Sequence, residues 1–108
     1  MILNSVASTF ETTVRNGSEL TLRCSTKSSL KYCWLKHPNG TRFTPYPMVK
    51  SDYYEYVGDG LEVGQCGMKL SVATTQDTGV WTCNMGVDSN SGFSQDIQVP
   101  ISVLVSGK

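Results

Sequence analysis

Apolar and polar residues alternate along most of this chain, the period of a strand with one face in a core. Leu20-Thr21-Leu22-Arg23-Cys24 turns its leucines and cysteine to one side. A second run, Leu30 to His37, ends at Pro38-Asn39-Gly40. Asn-Gly between two strand-like runs predicts a tight hairpin, because both residues tolerate positive φ, so Thr41 to Phe43 is expected to return beside Tyr32 to Lys36. Pro45 and Pro47 predict a bend, Tyr53 to Val57 a short strand and Gly58-Asp59-Gly60 a turn. From Cys66 to Val72 the pattern sets Cys66, Met68, Leu70 and Val72 on one face. A turn at Asp77 to Gly79 leads into a strand on which Trp81, Cys83 and Met85 share a face, and the loop Asp88 to Gly92 follows. The last run places Ile97, Val99, Ile101, Val103 and Val105 on one side. Pro100, on the other, requires a position without a ladder hydrogen bond, at an edge or a bulge.

No window carries a helical period, and strand-like runs separated by turn residues predict an all-β sandwich. Thirteen serines, eleven threonines and ten glycines agree with strands and turns rather than helices. The 108 residues are read as one domain spanning 1–108. Nine basic residues balance nine acidic ones, so no net positive field gathers nucleic acid or an anionic membrane. No apolar run approaches the roughly 20 residues that cross a bilayer, so this segment is expected not to insert into a membrane. The start, MILNSVASTF, lacks the basic and apolar regions of a secretion signal, and any leader is expected to be absent from this sequence.

The four cysteines, Cys24, Cys33, Cys66 and Cys83, form an even set with no Cys-x-x-Cys pair, which favours two disulfides. A zinc site would have to recruit His37, the only histidine, and four reduced thiols are the other alternative. The sequons Asn16-Gly17-Ser18 and Asn39-Gly40-Thr41 mark Asn16 and Asn39 as candidate glycosylation sites and point to an extracellular location. No nucleophile and base, carboxylate pair or phosphate loop stands out. His37 is better read as a turn residue of the hairpin, the glycines from Gly58 to Gly67 as strand-linking turns, and Asp52, Asp59 and Glu62 match no calcium loop. The expectation is a binding module with no catalytic residue, no cofactor and no metal.

Asp77-x-Gly79-x-Trp81-x-Cys83 resembles the approach to the second cysteine in the immunoglobulin superfamily, Asp-x-Gly-x-Tyr-x-Cys. The resemblance covers nearly the whole chain and implies a Greek-key β-sandwich of the variable type. It also implies a central Cys24–Cys83 bridge and a second pair, Cys33 with Cys66. Trp81 replaces the usual tyrosine, so the corner hydroxyl is missing and the indole is expected to fill its site by packing. The Phe-Gly-x-Gly of antibody variable domains is absent. The runs Lys31-Tyr32-Cys33, Tyr56 to Gly67 and Cys83-Asn84-Met85-Gly86-Val87 are similar to the first immunoglobulin domain of the fasciclin III family of arthropod adhesion proteins. That similarity implies a cell-surface ectodomain that binds copies of itself.

Trp34-Leu35-Lys36 looks like the strand whose tryptophan packs on the central disulfide, which would make Trp34 a core residue in a bulged strand. Parity favours the opposite. Cys66 shares a face with Met68 and Leu70, so a bridge to Cys33 needs Cys33 to point inward, turning Tyr32, Trp34 and Lys36 outward. An outward Trp34, with Tyr32 and Lys36, Arg42 from the hairpin partner, and Thr82 and Asn84 from the strand of Cys83, would form a partner-binding face suited to weak homophilic contact. The alternatives are a heterophilic receptor or secreted immune-recognition domain that binds through the Asp88 to Gly92 loop, and a spacer with a core Trp34.

Overall fold

The structure is a computed structural model describing residues 10–47, 51–88 and 94–107. In chain order its strands are β1 (Phe10–Arg15), β2 (Leu20–Ser25), β3 (Leu30–Lys36), β4 (Arg42–Phe43), β5 (Tyr54–Tyr56), β6 (Gln65–Leu70), β7 (Gly79–Asp88) and β8 (Ser94–Ser106). Two short 3-10 turns, Leu61–Val63 and Thr75–Asp77, complete the regular structure. Among the described residues no helix is long and apolar enough to cross a membrane.

The strands form a five-stranded sheet in the order β1-β8-β7-β3-β4 and a three-stranded sheet in the order β2-β6-β5. This is the all-β sandwich expected from the alternation. β1 was not among the runs read from the pattern. It pairs parallel with β8 from Phe10 opposite Ile101 to Arg15 opposite Ser106 and adds Val14 to the core margin. Pro100 lies opposite Thr82, one residue before that parallel pairing begins.

The core lies between the sheets. Leu20, Leu22 and Cys24 from β2 meet Cys66, Met68 and Leu70 from β6, and the opposing sheet contributes Cys33, Leu35, Trp81, Cys83, Met85, Ile101, Val103 and Val105. Val72 departs from the expected inward set. β6 ends at Leu70, the chain bends, and Val72 is 60% exposed while the next residue, Ala73, is buried. The alternation stopped with the ladder that enforced it.

The predicted hairpin forms with β4 returning along β3, Phe43 opposite Leu35 and Arg42 opposite Lys36. The Gly40 amide donates to the His37 carbonyl to close the turn, and Gly40 has φ of 98°. The short strand expected over Tyr53 to Val57 spans Tyr54–Tyr56.

Candidate recognition face

Two disulfides tie the sheets together, Cys24–Cys83 and Cys33–Cys66, with Cα separations of 6.6 and 5.7 Å. The zinc and free-thiol alternatives fall with them, because all four sulfurs are consumed. Cys24 and Cys66 are direct cross-strand neighbours in the small sheet. In the large sheet Cys83 faces Leu35 and Cys33 faces Met85, so the bridges run side by side through the core.

The second bridge fixes the orientation of β3. A register irregularity between Leu30 and Tyr32 resets the alternation, so that Leu30 and Cys33 are both buried although two residues, an even number, lie between them. Past that point Cys33, Leu35 and His37 point inward, and Tyr32, Trp34 and Lys36 point outward. The tryptophan of the core is Trp81, with no exposed surface, stacked on Phe43 at 5.8 Å and met edge-on by His37 at 4.6 Å. Trp81 also corrects the expectation that packing alone replaces the missing hydroxyl. Its indole N–H donates to the Asp77 carbonyl at 2.9 Å, so the corner keeps a side-chain tie to the backbone.

His37 closes the same region. Its Nδ1 accepts the Asn39 amide at 3.0 Å, which places the ring proton on Nε2, 2.8 Å from Asp77 Oδ1. Asp77 Oδ2 accepts the Thr74 amide in a capping box. Both ring nitrogens are thus committed to structure, and neither is available as a catalytic base. A cleft of about 320 Å³ lined by Arg23, Ser25, Gln65 and Val99, among others, groups no nucleophile with a base. Among the described residues no cluster of three metal-ligating side chains is present. The glycine-rich segment is a braced turn: the Tyr56 hydroxyl donates to the Gln65 carbonyl at 2.7 Å and accepts the Gly60 amide at 2.9 Å. Burial is the main cause holding the Tyr56 hydroxyl above its ordinary pKa. Gly64, at φ of 82°, lies so near the neighbouring loop that a Cβ would sit 2.2 Å from the Thr26 carbonyl oxygen.

The outer face of the five-stranded sheet is built in rows across β3, β7 and β8. Tyr32 lies beside Gly86 and Asp96, Trp34 beside Asn84 and Gln98, and Lys36 beside Thr82 and Pro100. Gly86 makes room for the Tyr32 ring, since a Cβ there would come within 2.0 Å of it. The Tyr32 hydroxyl reaches over this gap to donate to the Asp96 carboxylate. That hydrogen bond is the first cause of a Tyr32 pKa above the ordinary tyrosine value, with desolvation and the Asp96 charge adding to it. The Arg42 guanidinium lies 3.7 Å from the centroid of the Trp34 ring. Trp34 is therefore half-buried and partly roofed by a cation rather than bare.

Asn84 is a correction to the face as read from sequence. It is only 2% exposed, between Trp34 and Gln98, and its amide donates to the Thr82 carbonyl. It supports the face from below and offers little surface to a partner. Conversely, Asp96, Gln98 and the exposed Val80 and Leu104 belong to this face and were missed. The alternation along β8 could have revealed Asp96, Gln98 and Leu104 as outward positions. Their neighbours across the sheet come only from the register. Asn16 and Asn39 occupy exposed turns, Asn39 with its Oδ1 accepting the Thr41 amide. The loop from Ser89 to Gly92, with its neighbour Phe93, lies outside the described residues.

The immunoglobulin V-set domain family matches residues 8–103. This chain belongs to the V-set family. Solved structures share its architecture. Human T-cell immunoglobulin and mucin domain protein 1 superposes with a TM-score of 0.67 at 15% identity, over 92% of this chain and 99% of that one. The NK cell receptor NKp44, described as a triggering partner in natural cytotoxicity, gives 0.64 at 19% identity, over 93% and 100%. The first immunoglobulin domain of mouse SynCAM 2 gives 0.60 at 16% identity, over 91% and 94%. At these identities the likeness establishes the fold. No curated protein matches this V-set chain in sequence. The sheet that carries Trp34 contains β3 and β7, the strands of Cys33 and Cys83, and its outer face is free of any second layer among the described residues.

Proposed function

We propose that this V-set domain is an extracellular adhesion module, of the kind the fasciclin III resemblance implies, which binds another copy of itself through the outer face of the β1-β8-β7-β3-β4 sheet. The carrying observation is the outward Trp34 under the Arg42 guanidinium, on β3 between the central strand β7 and the edge strand β4, with Tyr32 beside it. Large aromatic side chains held by rigid strands lose little conformational freedom on binding, and tryptophan, tyrosine and arginine are the residues that most often anchor interfaces. Two inter-sheet disulfides suit a domain that works in an oxidising environment. The structural neighbour named as a receptor, NKp44, agrees with recognition as the general role. The exposed turns at Asn16 and Asn39 support glycosylation of both sequons, and a glycan on Asn39, in the turn joining β3 to β4, would crowd one edge of the face.

Sedimentation equilibrium tests this reading. The wild-type domain is expected to self-associate reversibly, and Trp34→Ala to weaken association about thirtyfold or more, the scale of an anchor residue worth about 2 kcal/mol. A domain that stays monomeric at high concentration, with Trp34→Ala indistinguishable from it, would overturn homophilic binding through this face. Substitutions in the Asp88 to Gly92 loop separate the heterophilic alternative, because sheet-mediated association should survive them.

A further inference from the structure

From β4 to β8 the charges on the outer face are segregated. Lys36 and Arg42 stand on β3 and β4, toward one side of the sheet, and Asp96 stands on β8 across the central strand β7. Among the described residues none of the three has an ion-pair partner: Arg42 rests on Trp34, and Asp96 accepts from the Tyr32 hydroxyl and the Gln98 amide. On the other sheet Lys69 pairs with Glu19 and Glu55. From β4 to β8 the face thus carries unneutralised cations and an unneutralised carboxylate, separated by the uncharged Thr82, Asn84 and Gly86 of β7, and the edge strand β1 adds Glu11 and Arg15, one charge of each sign.

Lys36 and Arg42 lie in the row of Thr82 and Pro100, displaced along the strands from the row of Tyr32, Gly86 and Asp96, so the twofold axis that exchanges the cations with Asp96 lies in the plane of contact and runs diagonally to β7, perpendicular to the line joining them. An axis strictly along β7 would instead set Lys36 of one copy over the Pro100 row of the other, away from Asp96. We propose that the homophilic contact is registered by charge, with Arg42 and Lys36 of one copy meeting Asp96 of the second, and the reverse, on either side of Trp34. The inference rests on the proposed self-association and adds to it the orientation of the copies and the residues that select it. The Tyr32 hydrogen bond holds the Asp96 carboxylate at a fixed place, and the stack on Trp34 does the same for the Arg42 guanidinium, so both groups are preorganised before contact. Opposed charges across an interface set register and exclude wrong pairings more than they add affinity.

Charge reversal with rescue tests the inference. Arg42→Glu combined with Lys36→Glu, and separately Asp96→Lys, should each reduce self-association about tenfold or more, by placing like charges opposite one another. An equimolar mixture of the two variants should regain heterodimers, and raising salt should weaken the wild-type dimer. Circular dichroism and thermal melts confirm that each variant is folded. Asp96→Asn provides a second, milder variant that should weaken association without creating repulsion. If the wild type self-associates but the reversed variants do so equally well, or their mixture gains nothing, charge registration is overturned while the homophilic face stands. If the wild type does not self-associate at all, both fall.

Discussion

At the scale of single residues, the face is held by two adjacent contacts that the strand register brings together. Tyr32 lies over Gly86 and donates to Asp96, and its pKa is raised chiefly by that hydrogen bond. The sign of the pH effect follows. The folded-state pKa lies above the unfolded value of 10.0, so this contribution to stability is fully present below pH 10 and is lost as pH rises through the folded value. Phenolate absorbance should show two tyrosines, Tyr32 and Tyr56, ionising above the ordinary range, and Asp96→Asn should bring only the Tyr32 titration down toward it. Gly86→Ala is expected to cost about 1–3 kcal/mol, because the new methyl must displace the Tyr32 ring and with it the bond to Asp96. Urea denaturation read by tryptophan fluorescence measures the loss, and the Asp96-dependent shift of Tyr32 should vanish in the same variant.

Between elements, the hairpin joining β3 to β4 and the 3-10 turn Thr75–Asp77 preceding β7 are fastened by the His37–Asp77 pair. Sequence placed His37 in the hairpin turn, and it does accept the Asn39 amide there. Its second bond, to a residue of another turn, was invisible because nothing local relates positions 37 and 77. Replacing His37 by Ala and Asp77 by Ala, singly and together, should reveal a coupling of about 0.5–3 kcal/mol in a double-mutant cycle of unfolding free energies. Independent roles would make the two losses additive. The pair also closes over Trp81, whose indole bonds the Asp77 backbone carbonyl; Asp77→Ala keeps that carbonyl but removes the carboxylate's bonds to His37 and to the Thr74 amide, which hold the turn presenting it.

For the whole molecule, the two disulfides set both stability and presentation. Closing loops of 59 and 33 residues, each bridge is worth about 4 kcal/mol in the chain-entropy estimate, comparable to much of a small domain's total of about 5–15 kcal/mol. Replacing Cys33 and Cys66 together by Ala should therefore lower unfolding free energy by about 3–5 kcal/mol, measurable in urea. It should also loosen the orientation of β3. Quenching of Trp34 by a small neutral quencher should change in this variant, whereas a bridge that serves stability alone would leave Trp34 as accessible as before.

How much of this was legible in the sequence follows from the range of the forces involved. Period-two alternation, Asn39-Gly40 and the Asp77-x-Gly79-x-Trp81-x-Cys83 run are local patterns, and they determined the strands, the hairpin and the all-β sandwich. The outward orientation of Trp34 was legible only as a preference, since parity along one strand is broken by a single irregularity such as the one between Leu30 and Tyr32. Tertiary structure decided which residues share a row: that Asn84 lies buried beside Trp34, that Gly86 leaves space for Tyr32, and that Asp96 stands across β7 from Lys36 and Arg42. Alternation tells which face a side chain takes, but its neighbours on that face are set by the register between strands distant in the chain. That register is fixed only when the cores of both sheets and their two sulfur bridges close together.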